Sequence, residues 1–147
     1  MKLIKFKIIL IIIILGNFTL SNLITTTNGQ NIIINGNYYT MTTYYSTSYY
    51  IEIVSGSTLT INKLDLTGGY RPFIIDGGGT GIFSYCNFYN IKSYSTCPTT
   101  SSCYDGGAIY VYGSSSSYAI LTISNSIFKG NTAYVTIIYY KINILLL

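Results

Sequence analysis

The sequence predicts an all-β solenoid, a parallel β-helix, and three features carry that prediction. Apolar and polar residues alternate in runs of only three to five residues, such as Ile51-Glu52-Ile53 and Leu121-Thr122-Ile123, which is the spacing of short strands. Ile, Thr, Tyr and Val favour strands, and the frequent Gly and Asn favour tight turns. Many short strands are typical of a sandwich, a barrel or a solenoid. The third feature, an internal repeat, favours the solenoid over the sandwich and the barrel.

The repeat consists of three segments that align without gaps: LTINKLDLTG (59–68), GIFSYCNFYN (81–90) and LTISNSIFKG (121–130). Their starts lie 22 and then 40 residues apart, and the longer interval contains two Ser-rich stretches that are typical of loops. A period of this size is typical of coils that bury their apolar face by stacking. Four columns carry the pattern: the third (Ile61, Phe83, Ile123), the sixth (Leu64, Cys86, Ser126), the eighth (Leu66, Phe88, Phe128) and the turn-forming tenth (Gly68, Asn90, Gly130).

Residues 1–21 predict a secretory signal peptide. Three lysines within the first seven residues precede an unbroken apolar run over 8–15, and a short polar stretch follows. Thr19 and Ser21 suit cleavage before Asn22. The alternative is an uncleaved membrane anchor, which needs about 20 mainly apolar residues and would have to include several polar ones.

The positive charge belongs mainly to this leader. The whole chain has eight basic and four acidic residues, a net charge of +4, but without residues 1–21 five basic and four acidic residues leave +1. The remaining basic residues form no cluster, so we expect no nucleic-acid binding. The chain has no His, which excludes imidazole catalysis and the His ligands of zinc.

The leader is followed by a β-helix domain over 22–133, with a loop insertion over 93–105. Cys97 and Cys103 bracket the sequence CPTTSSC in this insertion and form either a disulfide or two free thiols. Cys86 lies in an alternating run and is expected to be a small buried apolar residue.

The tail over 134–147 is apolar but contains Lys141 and Asn143. It is too short and too polar to span a bilayer. It therefore predicts either a final strand or a truncated end of the solenoid.

Two motifs near the third repeat resemble a known family. The first is the tetrapeptide Gly106-Gly107-Ala108-Ile109, and the second is Phe128-x-x-Asn131. They resemble the GGA[ILV] and FxxN signatures of the polymorphic outer-membrane protein repeat, over about residues 106–133 with a looser echo over 59–93. The resemblance implies a pectin-lyase-like, right-handed parallel β-helix in which the Phe stacks inward and the Asn hydrogen-bonds along the stack. In the 81–90 copy, Ile91 stands where the Asn is expected.

Carbohydrate-active enzymes on this fold would imply clustered Asp residues with an Arg or Lys, or several Asp with a His. The candidates are Asp65, Asp76 and Asp105 with Arg71, which are scattered along the sequence. Calcium needs six to eight oxygen ligands, several of them carboxylates, and three scattered Asp residues supply too few. Because the acidic residues form no cluster, we expect no catalytic residues, no metal and no cofactor. The DGGGTG sequence at 76–81 lacks the Lys and the helix of a phosphate-binding loop and predicts a corner of the solenoid.

Tyrosine is the remaining candidate signal. Tyr pairs occur at 38–39, 44–45 and 49–50, and strand alternation points one member of each pair outward. Exposed rings could stack on sugars or anchor a protein, and the alternative is that Tyr is only a good strand former. The candidate stacking residues are Tyr38, Tyr44, Tyr49, Tyr110 and Tyr112.

These observations favour an exported, non-enzymatic binding or adhesion protein, secreted or at the cell surface. Its partner would be a carbohydrate or a cell-surface protein, and it would contact a membrane only through an uncleaved N-terminal segment. Unpaired strand edges at the ends of the solenoid predict self-association. The alternative function is a polysaccharide lyase-like enzyme or a degenerate remnant of one.

Overall fold

The computed structural model describes residues 9–22, 24–43, 51–69, 72–92, 107–113 and 116–132, with the backbone of 143–146. None of these residues lies in a helix. In chain order the strands are β1 (Ile9–Ile13), β2 (Phe18–Leu20), β3 (Ile24–Thr25), β4 (Asn31–Asn35), β5 (Thr40–Thr43), β6 (Ile51–Ile53), β7 (Thr58–Asn62), β8 (Asp65–Thr67), β9 (Phe73–Ile75), β10 (Thr80–Ser84), β11 (Asn87–Tyr89), β12 (Ile109–Val111), β13 (Ile120–Ser124), β14 (Ile127–Lys129) and β15 (Asn143–Leu146).

The strands form three sheets in which every pairing is parallel. Sheet A has the order β1-β4-β7-β10-β13-β15, sheet B the order β14-β11-β8-β5-β2, and sheet C the order β12-β9-β6-β3. Each of the first four coils gives one strand to sheet A, then one to B, then one to C. The predicted fold class is therefore confirmed: the protein is an all-β parallel β-helix.

The repeat predicted from the sequence is the strand register of the structure. Gly81 pairs with Leu59 on one side and with Leu121 on the other. In sheet B, Phe88 pairs with Leu66 and with Phe128. Because equivalent positions of stacked coils are strand partners, a gapless alignment of the sequence reproduces the register across both intervals.

Two earlier coils were missed by that alignment. Ile32 pairs with Leu59, so β4 belongs to the same stack. Four residues, 36–39, separate β4 from β5, whereas only Lys63 and Leu64 separate β7 from β8. The longer connection breaks the gapless alignment.

The first coil includes part of the predicted leader. Ile9–Ile13 forms β1 and pairs in register with Asn31–Asn35, and Phe18–Leu20 forms β2 beside β5. The outward side chains Ile9, Ile11 and Ile13 are all exposed, whereas β7 presents Thr and Asn outward. The outward side chains of β1 are therefore all apolar, whereas those of β7 are all polar. Export and cleavage remain predictions.

The interior contains an aromatic cluster. Phe73, Phe83 and Phe88 are fully buried and meet edge to face, with ring centroids 5.0 to 6.4 Å apart. Phe88 also stacks on Phe128, with centroids 4.4 Å apart and ring planes 9° apart. A Cβ at Gly81 would collide with the Ile75 side chain and lie 3.2 Å from Phe83 Cε2, so the glycine makes room for Ile75 and Phe83.

The corner from sheet A to sheet B contains one left-handed residue in each of the three aligned coils. These are Lys63 (φ 55°), Tyr85 (φ 55°) and Asn125 (φ 48°), the fifth column of the repeat. The hydrogen-bond ladder continues through the corner, since Lys63 N donates to Ser84 O at 2.9 Å and Tyr85 N donates to Ser124 O at 3.1 Å.

The other predicted turns are also present. The tenth-column residues Gly68, Asn90 and Gly130 have φ values of 68°, 53° and 68°. The DGGGTG sequence turns between β9 and β10, where Gly78 has a φ of 84°. Gly77 N donates to Asp76 Oδ1 at 2.7 Å there. This segment is a corner of the solenoid, as the sequence predicts.

The remaining predicted boundaries fall partly outside the described residues. The insertion over 93–105 lies between Lys92 and Gly107 and is not among them. Within the tail, Asn143–Leu146 forms β15, parallel to β13. No helix in the described part of the chain is long and apolar enough to cross a membrane.

Candidate functional site

An open groove of about 520 Å³ runs along the outside of the corner between sheets A and B. We call it the corner groove. Ile13 lines its N-terminal end. The other lining residues are polar: Asn35, Asn37, Asn62, Lys63, Ser84 and Tyr85.

A polar column forms the floor of the corner groove. Alternation along the strands turns the last residue of β4, β7 and β10 outward, and these residues are Asn35, Asn62 and Ser84. Asn62 Nδ2 donates to Asn35 Oδ1 at 3.3 Å, and the Ser84 and Ser124 hydroxyls lie 2.8 Å apart. Within the described part of the chain, Asn35 Nδ2 and Asn62 Oδ1 have no further hydrogen-bond partner.

Aromatic rings and one cation lie beside this column. Tyr85 is 48% exposed and Tyr38 is 56% exposed. Lys63 Nζ lies 5.9 Å from the centroid of the Tyr38 ring, which is within cation–π range. No carboxylate is among the residues that line the corner groove, so its local charge is positive.

The backbone of these three residues is strained. Tyr38, Lys63 and Tyr85 are all left-handed, with φ of 61°, 55° and 55°. That conformation costs an L-residue with a Cβ about 1–2 kcal/mol, and Asn or Gly adopts it more readily. The same corner in the next coil contains Asn125, so the turn itself requires neither a Tyr nor a Lys.

The structure separates the tyrosines predicted as a stacking surface. Tyr38 lies over Lys63 beside the corner groove, whereas Tyr110 and Tyr112 belong to β12 and the residue after it, at sheet C. Tyr44 and Tyr49 lie outside the described residues. Sequence reasoning missed Tyr85, because the repeat was aligned on its apolar columns, although the fifth column would have revealed it.

The repeat-motif residues lie at the other end of the described stack. Gly107 and Ala108 are buried just before Ile109, which begins β12, and Gly106 is outside the described residues. Asn131 Oδ1 accepts a hydrogen bond from Ile91 N at 3.0 Å, and its Nδ2 donates to Phe88 O at 2.9 Å. This side chain therefore ties the fifth coil to the backbone of the fourth.

Cys86 is a buried free thiol, as predicted. Its Sγ lies 3.5 Å from Ile61 O and 3.4 Å from Ser84 O. Burial raises the pKa of this thiol, because the low-dielectric interior disfavours the thiolate. Cys97 and Cys103 lie outside the described residues.

The described acidic candidates for catalysis lie on different sides of one coil. Asp65 begins β8 in sheet B, where its Oδ1 accepts from Asn87 Nδ2 at 2.7 Å. Asp76 follows β9 in sheet C and accepts from Gly77 N. Asp105 and Arg71 are outside the described residues. Within the described part, no three His, Cys, Asp or Glu residues group as metal ligands.

Comparison of the chain with protein-family models, with curated proteins and with solved structures gives no match.

Proposed function

We propose that this protein is an exported, non-enzymatic β-helix that binds a carbohydrate or a protein at a cell surface, and so acts as an adhesion module. The observation that carries the proposal is the corner groove. It holds amides, a hydroxyl, an ammonium group and an aromatic ring in fixed positions on stacked coils.

The chemistry of the groove supports binding over catalysis. Asn amides donate and accept hydrogen bonds but do not titrate, and a Ser hydroxyl without a base is a weak nucleophile. General acid–base catalysis needs a group whose pKa lies near the working pH. Neither the amides nor the hydroxyl provides one, and no carboxylate or imidazole lines the groove.

The relationship of these coils to the polymorphic outer-membrane protein repeat is part of the same proposal. The GGA[ILV] and FxxN motifs support coils of the polymorphic outer-membrane type. The two hydrogen bonds of Asn131 to the preceding coil are consistent with a structural role for the Asn of that motif. Proteins built from such repeats are surface proteins, which supports export.

Cleavage before Asn22 would leave the corner groove nearly complete. It would remove β1 and β2, and with them Ile13 and the Ile14 carbonyl that accepts from Asn37 Nδ2. The polar lining residues all follow the cleavage site. Mass spectrometry of the protein recovered from the medium of expressing cells should find an N-terminus at Asn22; retention of residues 1–21 would contradict a cleaved leader.

Binding is tested with the full chain on a broad glycan array and on intact cells. We expect a saturable signal on at least one of the two. The matched control is an unrelated protein of similar size and net charge at the same concentration, which should not bind. Absence of binding to both the array and the cells would refute the proposed function.

A further inference from the structure

We infer that the corner groove binds a neutral oligosaccharide, with one sugar ring stacked on Tyr85 and sugar hydroxyls bound by Asn35, Asn62 and Lys63. This inference rests on the proposed function and deepens it, since it names one ligand class and the residues that recognise it.

The first argument is the backbone strain at the corner. Tyr38, Lys63 and Tyr85 adopt a left-handed conformation at successive coils, where Asn or Gly would be easier to accommodate. Such outliers cluster at functional sites, because the surrounding fold has to hold them in place. All three have side chains at or beside the corner groove. The strained positions are therefore the ones that place two tyrosine rings and one ammonium group at the groove.

The second argument is the supply of hydrogen-bonding groups. Asn62 donates to Asn35, which leaves Asn35 Nδ2 as a donor and Asn62 Oδ1 as an acceptor without a partner among the described residues. Sugar hydroxyls both donate and accept, so a donor and an acceptor side by side match them. The exposed face of the Tyr85 ring supplies a large contact area with only two side-chain torsions to fix.

The third argument is the spacing. Asn35, Asn62 and Ser84 occupy the same position in β4, β7 and β10. Neighbouring strands lie about 4.8 Å apart, close to the length of one pyranose unit in a linear chain. The column can therefore meet successive sugar rings in register, as an oligomer requires.

The hydrogen-bonding groups of the groove favour a neutral ligand, although Lys63 gives the groove one positive charge. Its hydrogen-bonding groups are mainly amides and hydroxyls, and the one cation, Lys63, already lies over the Tyr38 ring. A neutral ligand predicts an affinity that salt hardly changes, whereas binding through Lys63 to an acidic sugar would weaken as salt screens the charges.

The test is calorimetric titration of the full chain with three neutral trisaccharides: cellotriose, maltotriose and triacetylchitotriose. A β-1,4-linked triglucuronate serves as the charged comparison. We expect at least one neutral trimer to bind with a Kd of about 1 mM or tighter, unchanged between low and high salt.

Three variants locate the site. Tyr85→Asn removes the ring but keeps a residue that suits the corner, as Asn125 shows in the next coil, and it should raise the Kd about tenfold. Lys63→Asn removes the ammonium group and should weaken binding by a smaller factor. Tyr118→Asn removes a similarly exposed ring just before β13, which does not line the corner groove, and should leave the Kd unchanged. Circular dichroism melts confirm that each variant is folded.

Three results would overturn the inference, and each is distinct from failure of the proposed function. An unchanged Kd in Tyr85→Asn would place the glycan site elsewhere, while the proposed function would stand. Binding of triglucuronate alone, abolished by salt, would replace the neutral ligand with an acidic one. Binding to cells with no response to any trimer would refute the neutral oligosaccharide, while the proposed function would stand. Only the loss of all binding would refute both.

Discussion

Asn131 is the residue at which the repeat motif can be tested most directly. Its side chain accepts a hydrogen bond from Ile91 N at 3.0 Å and donates one to Phe88 O at 2.9 Å. Both backbone groups belong to buried residues, since Ile91 is 1% exposed and Phe88 is 0% exposed. The substitution Asn131→Ala removes both bonds and supplies no replacement.

The expected cost follows from these two groups. A buried N–H left without a partner costs about 1–3 kcal/mol, and a neutral hydrogen bond such as that to Phe88 O contributes about 1 kcal/mol. Asn131 is itself only half-buried, so water can reach part of the vacated space and lower the cost. We therefore expect Asn131→Ala to reduce the free energy of unfolding by about 2–3 kcal/mol, a large share of the usual 5–15 kcal/mol.

The assay is urea unfolding of the full chain followed by far-UV circular dichroism. The midpoint should fall while the m-value stays constant, which marks a change in stability alone. The control is Asn125→Gly, a change in the same coil at an exposed left-handed position, which should alter stability by less than about 0.5 kcal/mol. If Asn131→Ala proves as mild as this control, the Asn of the motif does not anchor one coil to the next.

Three further predictions use the same protein. Phe83→Ala should lower the free energy of unfolding by about 3–5 kcal/mol in urea, because it leaves a cavity in the aromatic cluster; a loss below about 1 kcal/mol would mean that the cluster is loosely packed. Gly69→Ala should reduce the urea midpoint, because Gly69 has a φ of 68° and a Cβ there would collide with Thr43; an unchanged midpoint would refute the close approach. At pH 8, iodoacetamide should modify Cys86 only after unfolding, as seen by peptide mass spectrometry, because burial raises the pKa of its thiol; rapid modification of the folded protein would contradict that burial.

The stacked fold is predictable from the sequence because a solenoid repeats one environment along its axis. Leu59, Gly81 and Leu121 align in the sequence and pair in the structure. The alignment failed where that regularity is interrupted, at the longer connection over 36–39. It also failed at residues 9–13, whose apolar side chains match a leader as well as they match a strand.

The corner groove could not be predicted in this way. Asn35 and Asn62 are 27 residues apart in the sequence, yet their side chains hydrogen-bond. Their contact depends on the length of the connections around each coil, which sets the register of the polar positions as well as the apolar ones. Tyr85 stands in the fifth column of the repeat, but only the structure places that column beside the polar floor of the groove.

By itself, the sequence determined the class of the fold, the register of three coils, the burial of Cys86 and the positions of the turns, because each follows from local alternation and from residues that favour a left-handed backbone. The tertiary structure alone decided which polar side chains share the corner groove, which tyrosines lie apart from it, and which backbone groups Asn131 binds. The physical reason is that stacking brings residues from neighbouring coils to within about 4.8 Å of each other, although a full coil separates them along the chain. Only the path of that coil decides which residues meet.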